Sequence, residues 1–158
     1  MVEHVGQLLT DKALTLSVSE KSSAGYLTYW LNSDEKVAEQ FGHGWVLSGN
    51  NQTIADEGDP LAATFALAGA TREKCATDLA LVTGKIEEGI FSVALSTSTG
   101  EWGALYKLSR KYQQDDQVKV ISAAALDMLR RYLERKPMSA QYAFLEKIKE
   151  MHIPSSAL

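Results

Sequence analysis

The chain is poor in cysteine and histidine and has no long apolar run: one Cys and three His stand among 158 residues. Each shortage excludes something. A lone Cys75 excludes an intrachain disulfide, so the cytoplasm is the expected compartment. His4, His43 and His152 lie far apart and share no ligand spacing with Cys75, so no metal site is expected. No stretch approaches the length of a membrane span. The N-terminal M-V-E-H-V-G lacks the basic start and apolar centre of a signal peptide, and Met1 reads as an intact start. Positive charge is also short, with 16 Lys and Arg against 20 Asp and Glu. The resulting net charge of −4 argues against nucleic acid as a partner. Neither G-x-x-x-x-G-K-S/T nor G-x-S-x-G occurs, and Gly42-x-Gly44 is too short for a dinucleotide fingerprint. Nothing calls for a cofactor.

What is present is ordinary globular material, 45% hydrophobic and 23% charged, enough for one domain with a full core. Val5, Leu8 and Leu9 predict an amphipathic helix over Val2–Lys12. Leu16 and Val18 then alternate with Thr15, Ser17 and Ser19, which predicts a strand. The polar cluster Glu20–Gly25 follows, and Tyr26–Leu31 predicts a helix behind it. Ser33 or Asp34 caps a further short helix through Gln40, which Gly42-His43-Gly44 breaks. Trp45–Ser48 reads as a buried strand and Gln52–Asp59 as a polar loop.

Asp59-Pro60 is a strong helix start, a capping residue with proline at the first helical position. Leu79–Val82 reads as a strand buried on both faces, closed by Thr83-Gly84. Ile90–Ser96 and Trp102–Leu108 predict a hairpin around Thr97–Gly100. Asp115-Asp116 caps a long helix from Gln117 to Arg135, which Pro137 stops. Phe144, Leu145, Ile148 and Met151 then predict a last helix from Ser139 to Met151. The sum is a single three-layer α/β domain with a mixed sheet flanked by helices, over residues 1–136, followed by a helical extension over 137–158.

Chemistry concentrates after the first strand. Ligands of open α/β sheets bind at the carboxyl ends of strands, and a helix N-terminus there suits an anion. Lys21, Ser22 and Ser23 form the one constellation with catalytic potential, because a serine becomes a nucleophile when a nearby lysine is neutral. The plainer reading is that Ser22 and Ser23 cap a helix. Cys75 reads as a packing residue, and Glu87-Glu88 as a solvated loop.

The stretch His4–Leu31, followed by A-L-A-G-A-T-R-E-K-C-A-T-D-L-A-L-V-T-G at Ala66–Gly84, resembles the C-terminal domain of the CinA family. Gly89–Leu95 is similar to the family's G-T-V strand, and Ser122–Leu133 to its closing helix. The resemblance covers about Val2 to Lys136. It implies an α/β domain of the nicotinamide-mononucleotide deamidase type that associates with itself, with a phosphate-bearing small molecule as ligand.

The departures fall on the chemistry. Members read A-E-S-C-T-G-G where this chain has Ser19–Gly25, so the family's nucleophilic serine becomes Lys21. Its cysteine and threonine become Ser22 and Ser23, and its first glycine becomes Ala24. In the second motif, Ser48 and Thr53 replace the family's tyrosine and lysine while Asn50 survives. The family's G-D-R becomes Gln114-Asp115-Asp116.

The expectation is a catalytically impaired nucleotide-binding or protein-interaction module, its ligand a nucleotide or another phosphate-bearing small molecule. Its ligand-contacting residues would be Glu20, Ser22, Ser23, Gly25, Ser48, Asn50, Thr83 and Gly84. The rivals are an active amide hydrolase using Ser22 or Ser23 with Lys21, and a purely structural oligomer subunit.

Overall fold

A computed structural model describes residues 1–47, 58–138 and 140–155. The elements are α1 (Val2–Lys12), β1 (Leu16–Glu20), α2 (Tyr26–Asn32), α3 (Glu35–Gln40), β2 (Phe41–Val46), α4 (Pro60–Cys75), β3 (Leu79–Glu87), β4 (Ile90–Thr97), β5 (Gly100–Leu108), α5 (Gln114–Leu133) and β6 (Leu145–Pro154). The strands form one six-stranded sheet in the order β2-β1-β3-β4-β5-β6. β1 runs parallel to both β2 and β3, and the remaining pairs are antiparallel. This is a mixed α/β sheet with helices on both faces.

The two faces differ in composition, and that sets the layers. Leu16, Val18, Leu79, Leu81, Phe91, Val93, Leu95, Ala104 and Tyr106 build the larger core with α1, α2 and α5. Large aliphatic and aromatic side chains need several helices to cover them. The opposite face carries small and hydroxyl residues, so α4 packs closely. Ser19 Oγ meets Thr71 Oγ1 at 2.7 Å and Ser92 Oγ meets Thr64 Oγ1 at 2.6 Å. Its apolar core is small, built on Leu61, Phe65, Ala68, Val82 and Ala94.

Local signals account for most elements. Asp59 accepts from the Leu61 N–H at 3.0 Å with Pro60 at the head of α4, and Asp34 accepts from the Val37 N–H at 3.1 Å. The β4–β5 hairpin pairs Thr97 with Gly100 and Ile90 with Lys107, as the alternation implies.

Four expectations are corrected. Gly42 and Gly44 do not break the chain before a buried strand; they lie inside β2, an edge strand whose Trp45 and Val46 are 43% and 57% exposed. A Cβ at Gly44 would lie 2.5 Å from Thr28 Cγ2, so the absent side chain lets β2 pass α2.

β3 does not stop at Gly84 but runs to Glu87, and Glu88-Gly89 forms its turn with φ of 53° and 76°. Two successive positive φ values are what a two-residue hairpin connection requires. Asp115 and Asp116 do not cap α5; they sit inside its first turn, behind Gln113.

The largest correction is the C-terminal segment. The helix expected over 139–151 is instead β6, paired antiparallel with β5 from Gly100↔Pro154 to Leu108↔Leu145. Leu145 and Ile148 fit a helical period, but Met151 and Ile153 also fit a period of two. The open edge of β5 decides between them by offering a ladder of unpaired backbone groups.

Candidate functional site

The site follows from the strand order. From β1 the chain passes to β2 on one side through α2 and α3, then crosses through α4 to β3 on the other. Open α/β sheets bind ligands at the carboxyl ends of the strands beside such a reversal, here β1 and β3. The turn Lys21–Gly25 lies at that end of β1. It continues the ladder to β3 through Lys21 N–H to Thr83 O at 3.0 Å and Ser22 N–H to Gly84 O at 3.1 Å. Ala24 and Gly25 then both take positive φ, 54° and 95°, to turn the chain into α2.

Glu20 organises this turn. It is fully buried at the end of β1. Its Oε1 accepts from the N–H of Gly25 at 3.2 Å and of Leu27 at 3.0 Å, and from Ser23 Oγ at 2.5 Å. Its Oε2 accepts from the Thr28 N–H at 2.8 Å and from Thr28 Oγ1 at 2.5 Å. The first backbone donors of α2, free in an uncapped helix, are therefore taken by a carboxylate of the same chain. The anion expected at this helix N-terminus is Glu20 itself, which corrects the reading of the turn as a phosphate cradle.

The structure brings Glu20, Ser23, Gly25 and Thr83 into one buried network, because Ser23 Oγ also meets Thr83 Oγ1 at 2.6 Å. Ser23 is fully buried. Ser22 is 7% exposed, and among the described residues its hydroxyl has no hydrogen-bond partner. Lys21 is half-buried beside it. Gly84 serves packing: a Cβ there would stand 2.3 Å from both Thr64 Oγ1 and Ser92 Oγ. Ser48, Asn50 and Thr53 lie outside the described residues.

Sequence reasoning missed Thr28, whose side chain and N–H complete the Glu20 network from three residues inside α2. A capping hydroxyl at that depth carries no signal separate from ordinary helix composition. It also missed a cleft of about 590 Å³ against the start of α4, lined among others by Pro60, Thr64, Lys85, Glu87 and Glu88. There Lys85 Nζ and Glu87 Oε1 form an ion pair at 2.6 Å. Glu87 is thus a cleft residue as well as a strand end. Among the described residues, no group of three or more His, Cys, Asp or Glu is placed to hold a metal ion. No helix of these residues is long and apolar enough to cross a membrane.

No family model matches the chain. CinA-like proteins of Shewanella baltica and of Shewanella sp. strain ANA-3 are each 30% identical to it over 164 aligned positions. The alignment covers 90% of this chain and 38% of the relatives, so the chain spans well under half of their length. Among solved structures, a CinA superfamily protein from Escherichia coli matches with a TM-score of 0.69 at 15% identity, covering 85% of this chain and 90% of that one. A competence/damage-inducible protein from Agrobacterium tumefaciens matches with a TM-score of 0.69 at 14% identity, covering 84% and 95%. At these identities the structural matches speak to fold.

Proposed function

This chain belongs to the CinA family, and from that premise we propose that it is a binding module for a small phosphate-bearing ligand, without the amide hydrolysis that the family resemblance implies. One observation carries the reading: the hydroxyl of Ser23 is buried and spent on Glu20 and Thr83. A serine nucleophile needs a base within hydrogen-bond reach and an open approach for the substrate. Ser23 is fully buried and so lacks the approach, and the carboxylate it meets is already engaged as the cap of α2. Lys21 stands where the resemblance puts the family's serine, so that position carries no hydroxyl. Groups acting as one catalytic unit fail together, so binding is what survives.

The hydrolase reading rests on Ser22, whose buried hydroxyl has no partner among the described residues. Self-association remains part of the proposal on the family resemblance alone. The C-terminal segment docks on its own sheet and gives no separate reason for it.

The test is ammonia release from nicotinamide mononucleotide by the full chain, beside Ser22→Ala and Ser23→Ala. No release above the protein-free rate is expected. Turnover abolished by Ser22→Ala alone would install the hydrolase in place of the binding module.

A further inference from the structure

We propose that the cleft between the β3–β4 turn and the start of α5 binds a small phosphate monoester that also carries hydroxyl groups, a sugar phosphate in chemical class. The inference takes its ligand class from the binding function above, and it puts the phosphate away from the β1 turn, where Glu20 already fills the anion position. The cleft measures about 530 Å³ and is lined by Glu88, Leu108, Arg110, Lys111, Tyr112 and Gln117, together with Gly89.

Two cations stand side by side in this wall, and among the described residues neither Arg110 nor Lys111 is paired with a carboxylate. The Arg110 guanidinium lies 4.8 Å from the centroid of the Tyr112 ring. That contact holds its planar fork in place without consuming its donors. A guanidinium with an adjacent ammonium is suited to a dianionic phosphate, which accepts through three oxygens. Elsewhere in the chain the arginines of α5 are already spent: Arg130 and Arg131 both bind Asp127.

The rest of the polar lining is of a different kind. Glu88 accepts and Gln117 both donates and accepts, which matches hydroxyl groups and would repel a second phosphate. Leu108 supplies an apolar floor for the carbon skeleton. Asp115 and Asp116 in the first turn of α5 add negative charge nearby. The site therefore selects a single phosphate over a polyphosphate.

The experiment is amide NMR of the isotope-labelled full chain, titrated separately with ribose 5-phosphate, ribose and inorganic phosphate. Ribose 5-phosphate is expected to give saturable shifts confined to residues 88–90 and 108–117. Inorganic phosphate should bind more weakly at the same amides, and ribose should not saturate. The paired substitution Arg110→Gln and Lys111→Gln should weaken ribose 5-phosphate by at least about tenfold, since two charge-assisted contacts are lost. Both side chains are exposed, so the remaining amide spectrum should stay in place. Shifts that persist at full affinity in the double variant, or no saturable shift at all, would overturn the site. Saturable shifts at Thr64 and Lys85 instead would overturn it and leave the binding function standing. Ammonia release from nicotinamide mononucleotide would sink the non-hydrolytic reading and leave this titration to decide the site by itself.

Discussion

Ser23 donates its hydroxyl hydrogen to the Glu20 carboxylate at 2.5 Å, and the same carboxylate caps α2. The residue that a motif search offers as a nucleophile is thus part of a helix cap. The two roles are separable by measurement. Glu20→Ala would remove the acceptor of five donor contacts, two buried and three partly buried, and is expected to cost about 3–5 kcal/mol. For a domain of this size the melting temperature should fall by roughly 10 °C. A fall of less than about 2 °C would show that water replaces the carboxylate and that the turn is open.

Ala24 and Gly25 are a matched pair with opposite expectations. Ala24 sits at φ 54°, a region that costs an L-residue about 1 kcal/mol. Ala24→Gly relieves this but adds entropy to the unfolded chain, about 0.4–1 kcal/mol, so stability should change little. Gly25 has φ 95°, and a Cβ there would lie 3.4 Å from Val46 Cγ2. Gly25→Ala should destabilise by more than about 1 kcal/mol in urea unfolding. Equal effects from both substitutions would contradict the backbone geometry.

The C-terminal strand has an anchor outside its own ladder. Tyr142 donates its hydroxyl to Asp127 Oδ2 of α5, and Arg131 reaches the Pro137 carbonyl at 3.3 Å. Leu145 is the one buried residue of β6, so backbone pairing with β5, partial packing of Met151 and Ile153, stacking of His152 on Trp102 and this anchor together hold the strand. Tyr142→Phe is expected to cost about 1–2 kcal/mol. In hydrogen exchange, amides of 145–154 should lose protection before those of β3 and β4. Uniform loss across the sheet would show that β6 opens only with the whole domain.

Acid should act on the same anchor. Burial pushes the Asp127 carboxyl up, but the Tyr142 hydroxyl and the Arg131 and Arg130 guanidiniums outweigh it and leave the group below its ordinary value. A carboxyl depressed on folding contributes stability above its unfolded value, about 3.9, and loses it as pH falls through the folded value. Glu134, held down to about 2 by the His4 imidazole and then by Lys136, behaves in the same direction. The stability gap between wild type and Asp127→Asn should therefore be full near neutral pH and shrink below about pH 4. A gap that widens on acidification would reverse the assignment.

Much was legible where signals are local. The cap at Asp59-Pro60, the alternation in β1, and the β4–β5 hairpin each lie within one turn or one strand, so neighbouring residues carry the whole pattern. The order of strands and helices, with the resemblance to CinA C-terminal domains, carried the fold class. Gly84 and Gly44 were misread because a glycine that ends an element and one that admits a neighbour look alike in sequence. Only Thr64, Ser92 and Thr28, distant along the chain, tell them apart.

The sequence by itself determined the α/β class and the scaffold of β1, α4, β4 and β5, since side-chain period and residue identity need no partner. Tertiary structure alone decided the remaining questions. It made residues 145–154 a strand because the open edge of β5 outweighs an ambiguous helical spacing. It also turned the expected anion site of α2 into a closed cap, because a β-strand ending at the foot of that helix delivers Glu20 to the same N–H groups a phosphate would need.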